Sequence, residues 1–413
     1  MATMTMADTR LLTRLGLIAT LLLVCATYYA AHYLPAPGNG SDFQVFYAAG
    51  YASAHRIDPF DWTAFWHVEQ HVNGLGFAFA PYADTPPWDL VLRLANLPAE
   101  PDAYRCYAAG ALILAGLGTY LALYPWCCRT RLAASLAAAL CPAALFNVRL
   151  GQNSILLVFV VGLAFYLLEK RQAGWLAGLV LACGFFKPHI SVPVAIIVML
   201  FAANNLKRQV LGGYALGWLA LIAATVAFDG GPTAYTNWLG SVHDFGTSLG
   251  NQPDLASIPG LYLSDVGNSM GWILNLLSLA LAGIIVLWFY YASGAETCRD
   301  ASRKRLLWGG IATYLAFSPY AHTSDQCLLA LPILVLVGEQ AEGLLDPAVV
   351  LASVTAILAP MVVLTNYHTA GINVLPPVLV AFAWILAGAR RAGMDSPARR
   401  SSAAQHTFEA ADG

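Results

Sequence analysis

Long apolar stretches are the feature of this 413-residue chain that most restricts its fold. Hydrophobic residues make up 58% of the sequence and charged residues only 11%, whereas soluble domains carry about 25% charged residues. An apolar stretch of roughly 20 residues can cross a bilayer as a helix, and about twelve candidates are recognisable. They lie at approximately 11–33, 104–125, 131–148, 152–168, 172–186, 189–203, 207–228, 268–292, 304–320, 325–339, 346–366 and 372–390. The sequence therefore predicts an all-α polytopic membrane protein with about 12 transmembrane helices.

Basic residues collect in one set of connections between these stretches. Examples are Arg129 and Arg131, Lys170 and Arg171, and Lys207 and Arg208. Lys and Arg are enriched in cytoplasmic loops, so this set is predicted to be cytoplasmic. An even number of spans then places both termini in the cytoplasm. We expect a multi-pass protein of the cell (inner) membrane whose polar site faces the periplasm or exterior.

Two connections on the opposite side are too long to be simple turns. Residues 34–103 form the first outer loop, in which aromatic and apolar residues at helical spacing predict surface helices at 43–55 and 60–73. Residues 229–267 form the second, which is rich in Gly, Pro and Asn and is predicted to be a mobile loop. We therefore expect one integral-membrane domain over 1–390 and a disordered cytoplasmic tail over 391–413.

Asp42 follows the first apolar stretch and precedes an apolar run that reads as a helix. An acidic residue there has two interpretations of equal weight: a helix cap that accepts backbone N–H groups, or a catalytic base at the mouth of an outward cavity. Asp58, in the sequence Asp58-Pro59-Phe60-Asp61, fits a turn and a helix start better than a site. The residues alone leave the first choice open.

Two short outer turns carry cations and amides. One contains Arg149, Gln152 and Asn153, and the other contains Lys187 and His189. A cation near membrane depth costs about 2.5 to 3.5 kcal/mol, so a retained one usually has a partner, and a lipid phosphate is such a partner. Snorkelling explains Arg149 equally well, and helix capping explains the two amides. Lys187 favours a functional role, because Pro188 interrupts a region that otherwise needs no charge.

A third outer turn places His322 three residues before Asp325. This spacing lets the two side chains face each other on one helical turn, although Asp325 also fits a simple helix start. The remaining histidines are scattered without paired metal-ligand spacing, so no metal site is expected. The net charge of -2 gives no reason to expect a nucleic acid partner.

The order of these blocks resembles glycosyltransferase family 87, integral-membrane enzymes of the GT-C superfamily. The resemblance runs over roughly residues 11–390. The blocks are Ser41-Asp42-Phe43 with Tyr47, Asp58-Pro59-Phe60-Asp61, Pro86-Pro87, Gly151-Gln152-Asn153, Lys187-Pro188, and Ser318-Pro319-Tyr320 with Asp325. Thr85 stands where the family often has Tyr before the double proline. The resemblance implies a GT-C-type helical bundle and a polyprenyl-phosphate-sugar donor, most readily polyprenyl-phosphate-mannose.

The resemblance also implies roles for individual residues. Asp42 would act as the general base, and Lys187 and Arg149 would bind the donor phosphate. The substrate pocket would contain Tyr47, Gln152, Asn153, His189, His322 and Asp325. No cofactor or metal is implied, and direct attack would invert the anomeric centre. The acceptor would be a hydroxyl of a lipid-linked molecule or a glycan, bound among membrane lipids.

Three other functions fit a polytopic membrane protein of this kind. A lipid or polysaccharide transporter or flippase is the first, although such proteins often show paired repeats and midplane charges that this sequence lacks. A scaffolding protein without catalysis and a sugar-polymer ligase or polymerase are the others. Replacement of Asp42 by Asn separates the first two from an enzyme, because it removes a base and largely keeps a cap.

Overall fold

The architecture comes from a computed structural model, and regular structure among the residues it describes is entirely helical. The described residues are 42–74, 80–96, 98–124, 128–228, 231–248, 271–292, 299–318, 322–340 and 378–380. The predicted spans 11–33 and 346–366, nearly all of 372–390, and the tail 391–413 lie outside them.

Three helices occupy the first long connection. They are α1 (Asp42–Ala54), α2 (Trp62–Asn73) and α3 (Pro86–Ala95). The helices predicted at 43–55 and 60–73 are confirmed. The turn before α2 is also confirmed, because the Asp61 carboxylate accepts the N–H groups of Thr63 and Ala64. The third helix begins at the double proline. Proline has no backbone N–H, but the N–H groups of the first helical turn have no partner within the helix, so nothing is lost there.

The apolar part of the chain forms a succession of further helices. They are α4 (Glu100–Ala122), α5 (Cys128–Ala139), α6 (Pro142–Leu150), α7 (Ser154–Tyr166), α8 (Gly174–Ala182), α9 (Pro188–Phe201), α10 (Asn204–Phe228), α11 (Thr233–Ser248), α12 (Gly271–Ala292), α13 (Arg299–Phe317) and α14 (Ala330–Gln340). Within the described ranges, 3 segments are long and apolar enough to cross a membrane: Glu100–Ala122, Arg131–Leu150 and Asn204–Phe228. The predicted bundle of about 12 spans is therefore only partly reproduced.

Several predicted spans are shorter or more broken than expected. The stretch 131–148 divides into α5 and α6 at Cys141, because Pro142 cannot continue the hydrogen bonds of the preceding helix. The stretch 152–168 ends in a π-helical turn, Leu167–Arg171. The stretch 325–339 starts in a 3₁₀ segment, Thr323–Leu329, before α14. The last of these breaks, the 3₁₀ segment, carries Asp325 of the site described below.

The second long connection differs from the predicted mobile loop. Residues Thr233–Ser248 form the helix α11, which packs on the first connection. The Trp238 indole N–H donates to the Ala83 carbonyl at 3.1 Å, and the Ser241 hydroxyl donates to the Tyr82 carbonyl at 3.0 Å. The prediction gave too much weight to the Gly, Pro and Asn residues of this segment. Its intrinsic helix propensity is poor, but the contacts with the first connection stabilise the helix.

Small residues let the apolar helices approach closely. A Cβ placed on Gly162 of α7 would lie 2.0 Å from the Gly118 carbonyl oxygen of α4. A Cβ on Gly178 of α8 would lie 2.2 Å from the Val210 carbonyl oxygen of α10. Close backbone contact of this kind is the usual way helices associate in lipid. These contacts fix α7 and α8, whose ends carry the polar site.

Candidate active site

The turn between α6 and α7 lies directly against the start of α1. Gly151 ends α6 with φ 74°, a left-handed conformation that favours glycine. A Cβ at this position would lie 2.2 Å from the Phe43 Cβ and 2.6 Å from the Phe43 nitrogen. The next side chain, Gln152, consequently reaches Asp42, and its Nε2 donates to the Asp42 Oδ2. The Tyr107 hydroxyl holds the same turn through the Gln152 carbonyl.

A buried ion pair lies beside this turn. The Lys187 Nζ is 3.0 Å from the Asp325 Oδ1, and the two side chains are only 6% and 0% exposed. The Ser154 hydroxyl donates to the same oxygen at 2.5 Å, and the His322 backbone N–H donates to the Asp325 Oδ2 at 2.8 Å. The predicted partner of Lys187 was a lipid phosphate, and the structure supplies Asp325 as a protein partner. Asp325 is the third residue of the 3₁₀ segment Thr323–Leu329, so its carboxylate caps the start of that segment and also pairs with Lys187.

Asn147 joins the start of α7 to the turn that carries Asp325. Its Nδ2 donates to the Ser324 carbonyl at 2.8 Å, and its Oδ1 accepts the Ile155 backbone N–H at 3.3 Å. Asn147 is fully buried on α6. A buried amide with both ends paired fixes the geometry around it. The relative positions of Ser154 and Asp325 are therefore set by backbone contacts as well as by charge.

Asp84 is a further carboxylate of the site, and it was not among the residues predicted. The Asn153 Nδ2 lies 3.5 Å from the Asp84 Oδ2. Burial raises the pKa of Asp84 to about 7; the Lys187 cation opposes this rise and the Asp42 carboxylate adds to it. Asp42, Asp84, Lys187 and Asp325 therefore form one interacting group of charges. The available signal was the position of Asp84 just before Pro86-Pro87, a block already singled out.

Thr85 is held by the turn that carries Lys187. Its hydroxyl donates to the Phe185 carbonyl at 2.9 Å, and Thr85 is 2% exposed. This contact brings the strand-like segment before α3 against the end of α8. Thr85 and Phe185 are 100 positions apart in sequence, so this hydrogen bond brings two distant segments of the chain to the same site.

Two of the predicted pocket residues present unpaired polar atoms to the site. Among the described residues, the Asn153 Oδ1 and the His189 Nε2 are buried without a hydrogen-bond partner. His189 lies close enough to Asp325, Lys187 and His322 to interact with their charges. The Asn153 side chain does not cap α7, contrary to the capping interpretation. Buried polar atoms of this kind are costly unless a ligand or water pairs with them.

Arg149 and Tyr47 lie apart from the charged group. The Arg149 side chain is exposed and forms no hydrogen bond or ion pair with a described residue. The Tyr47 hydroxyl donates to the Pro98 carbonyl at 3.1 Å, and its ring stacks on Phe43 with centroids 6.3 Å apart. Neither side chain contacts Lys187 in the structure.

Asp58 belongs to a turn, as its sequence context predicted. Its Oδ1 accepts the Phe60 N–H at 2.9 Å, and its Oδ2 accepts the Asn237 Nδ2 at 2.5 Å. The described part of the chain contains no group of three or more His, Cys, Asp or Glu residues able to hold a metal ion. Separately, Asp42 and Asp84 are carboxylates close enough to the Lys187 cation to interact with it, and carboxylates can accept or donate a proton.

Apolar helices packed through small residues, with a buried charged site at their ends, define a helical membrane protein with an enzyme-like centre. Residues 85–319 match the model of glycosyltransferase family 87, which covers more than half of the chain. The chain belongs to this family and is a glycosyltransferase. The matched region contains Gln152, Asn153 and Lys187. No curated protein sequence matches the chain.

Proposed function

We propose that this glycosyltransferase moves mannose from a polyprenyl-phosphate-linked donor to a hydroxyl group of a lipid-linked or glycan acceptor. The reaction takes place at the outer face of the cell membrane and inverts the anomeric centre. The assignment of mannose and of a lipid-phosphate donor rests on the family resemblance of the sequence blocks around Asp42 and Lys187. The assignment of the reaction to the outer face rests on the distribution of Lys and Arg along the sequence.

The observation that carries the proposal is the juxtaposition of Asp42 with the Lys187 cation. The Gln152 amide orients the Asp42 carboxylate. The charges of Asp42 and Lys187 act on each other and on Asp84. In the reaction, Asp42 accepts the proton of the acceptor hydroxyl as the new C1–O bond forms. The bond from C1 to the phosphate oxygen breaks, and the phosphate leaves with the electron pair. A phosphate is a good leaving group, so the second carboxylic acid of a glycoside hydrolase is not required.

Lys187 stabilises the charge that develops on the departing phosphate. Its ammonium group has three donors, and one of them points at Asp325 at 3.0 Å. The ion pair fixes the position of the cation before substrate binds, which is the arrangement that electrostatic catalysis requires. Arg149 is exposed and lies three residues before Gln152 in the sequence. It supplies a second cation for the polyprenyl phosphate at the membrane surface.

The unpaired Asn153 Oδ1 and His189 Nε2 support a substrate at this position. Each is a buried polar atom that a sugar hydroxyl can satisfy. His322 and Asp325 complete the wall of the pocket. A purely structural cluster, with every polar group paired internally, does not account for these two atoms.

The test is transfer of radiolabelled mannose from polyprenyl-phosphate-mannose to a lipid extract of the source organism by protein in nanodiscs. We expect Asp42→Asn to lower the rate by about 10²- to 10⁴-fold, the usual contribution of a general base, with donor binding retained. Asp61→Asn is the matched control, because Asn replaces Asp as a helix cap at little cost. Asp58→Asn tests the other candidate base.

Full activity of Asp42→Asn would overturn the assignment of the base. Loss of activity in Asp58→Asn alone would move the base to Asp58. Movement of a labelled lipid across the bilayer without formation of product would instead favour the flippase alternative. Family membership favours the transferase.

A further inference from the structure

A group of cations and tyrosines lies at the ends of α4 and α7 that are farthest from the charged site. Helix α7 begins at Ser154, in the charged site, and ends at Tyr166. A helix rises about 1.5 Å per residue, so these two residues are roughly 18 Å apart along the axis. We call this group the cation–tyrosine cluster, and its members are Tyr120, Tyr124, Arg131, Tyr166, Lys170 and Arg171.

The cations of the cluster lie over the faces of its aromatic rings. The Arg131 Cζ is 4.8 Å from the centroid of the Tyr120 ring and 6.0 Å from that of the Tyr124 ring. The Lys170 Nζ is 4.7 Å from the Tyr124 centroid. The Tyr124 and Tyr166 rings pack edge to face with their centroids 5.6 Å apart. Cations from two separate segments of the chain therefore converge on the Tyr124 ring, and each is attracted by the electrons of the ring face.

Lys170 and Arg171 reach the tyrosines from the π-helical turn Leu167–Arg171. The Arg171 Cζ is 6.0 Å from the Tyr166 centroid. Gln172 follows the turn with φ 52°, and its side-chain amide donates to a carbonyl of the turn at 2.9 Å. π-Helical turns are rare and are found frequently at functional sites. This turn places two neighbouring cations on two neighbouring rings.

The cluster offers positive charge and hydrogen-bond donors to a ligand. A guanidinium group over a ring keeps the N–H donors that lie in its own plane, and the buried Arg131 Nε has no hydrogen-bond partner. Within the described ranges, no carboxylate forms an ion pair with Arg131, Lys170 or Arg171. Glu169, the carboxylate closest to Lys170 in sequence, lines a small cavity with Phe201 of α9. The three positive charges are therefore not neutralised by a described ion pair.

A phosphate group is the ligand that this arrangement fits. Arg131 and Lys170 are both positively charged, and their charged groups lie within 6.0 Å of the Tyr124 centroid. Two like charges held this close repel each other, and an anion between them removes the repulsion. Phosphate oxygens point in several directions, so one phosphate can accept hydrogen bonds from the fork of Arg131 and from the ammonium group of Lys170.

The surface next to the cluster indicates that this phosphate belongs to a lipid. Helix α4 is long and apolar enough to span a membrane, and its residues Ile113 and Leu117 are 38% and 43% exposed. Ile113, Leu117 and Tyr120 follow one another at helical spacing, so they lie on one face of α4. Tyrosine is enriched where a membrane meets water. A hydrocarbon chain lying along this face of α4 therefore places its headgroup at the cluster.

We propose that the cation–tyrosine cluster binds the phosphate headgroup of one anionic phospholipid. This lipid lies in the leaflet opposite the charged site, which is the cytoplasmic leaflet according to the distribution of Lys and Arg. Basic pockets between membrane helices on that side suit anionic headgroups. The lipid is roughly 18 Å of helix from Ser154, so it is neither the donor nor the acceptor of the proposed reaction. By contacting α4, α5 and the turn after α7, it joins and stabilises their ends.

The experiment titrates the purified full-length protein in detergent micelles with phosphatidylglycerol and counts the bound lipids by native mass spectrometry. Phosphatidylcholine with the same acyl chains is the comparison lipid without net charge. We expect the first phosphatidylglycerol to bind about twentyfold more tightly than the first phosphatidylcholine. Lys170→Gln and Arg131→Gln should each raise the Kd for phosphatidylglycerol about fivefold, the usual effect of one Lys or Arg on an anionic lipid surface. The Kd for phosphatidylcholine should not change.

Arg208→Gln is the matched control. Arg208 is exposed at the start of α10, and Gly174, which follows the π-helical turn closely, packs against Leu206 of that helix. The control therefore removes one exposed cation from the same end of the molecule, and it should leave the Kd for phosphatidylglycerol unchanged. Lys170 is also exposed, so Lys170→Gln keeps the proposal testable if replacement of the partly buried Arg131 prevents folding.

Three outcomes would overturn the proposal. The first is an equal Kd for phosphatidylglycerol in the wild type and in Lys170→Gln. The second is an equal loss of affinity in Arg208→Gln, because attraction would then depend on total charge and not on the cluster. The third is displacement of the first phosphatidylglycerol by excess inorganic phosphate, which would make the cluster a site for a soluble anion. The measurement is of binding alone, so its result is independent of whether the protein transfers sugar.

Discussion

Replacing Lys187 by Met would leave the Asp325 carboxylate buried without its cation. The two atoms of the pair are 3.0 Å apart, and the side chains are 6% and 0% exposed. Removing one partner of a buried pair typically costs about 3 to 5 kcal/mol in the free energy of unfolding, because the remaining charge stays desolvated. We expect a loss of this size for Lys187→Met and for Asp325→Asn. The double variant buries neither charge, so its loss should be about 2 kcal/mol smaller than the sum of the two single losses.

The Arg105–Asp102 pair is a matched control at the same distance. Its atoms are also 3.0 Å apart, but its side chains are 54% and 63% exposed. Breaking an exposed pair costs less than about 1 kcal/mol, so Arg105→Ala should be nearly neutral. The measurement is unfolding by SDS titration in mixed micelles, followed by circular dichroism. Additive losses in the double variant, or a Lys187→Met protein as stable as wild type, would refute the reasoning.

Two further predictions concern buried groups outside the charged site. Burial raises the pKa of Glu69 from 4.5 to about 7, although the Ala80 N–H bond lowers it. The folded state therefore binds the proton more tightly, and stability is lost as pH rises from about 4.5 to about 7. Glu69→Gln should remove this pH dependence and stabilise the protein by about 3 kcal/mol at pH 8. The measurement is a pair of unfolding curves, at pH 5 and at pH 8, for each protein. Identical pH dependence in the wild type and in Glu69→Gln would contradict the prediction. Gly162→Ala should destabilise by about 1 to 3 kcal/mol, because its Cβ meets the Gly118 backbone, whereas Gly110→Ala, with open space around it, should not destabilise in the same assay.

The local elements of the first connection could be predicted from the sequence. The spacing of apolar residues gave α1 and α2, and Asp61 was recognisable as part of a helix start. These features depend on residues within a few positions of one another. Helix α11 was missed because its stability depends on contacts of Trp238 and Ser241 with residues 83 and 82, which lie far away in sequence.

The sequence singled out Lys187 and Asp325 separately, but it did not indicate that the two side chains pair with each other. The need for a partner at Lys187 followed from the cost of a charge near a membrane. The identity of that partner did not follow, because Asp325 is 138 residues away along the chain. Asp84 was missed for a related reason. Its position just before Pro86-Pro87 was a signal, but its contact with Asn153 joins residues 69 positions apart and is seen only in the fold.

The long sequence separation of the Lys187–Asp325 pair has a consequence for biogenesis. Synthesis proceeds from the N-terminus, so Lys187 leaves the ribosome 138 residues before its carboxylate partner. Helices α8 and α9 are therefore synthesised before the carboxylate that pairs with this cation is available. Arrival of the segment around Asp325 then closes the polar centre. Chains that stop short of that segment lack the carboxylate that forms the ion pair with Lys187.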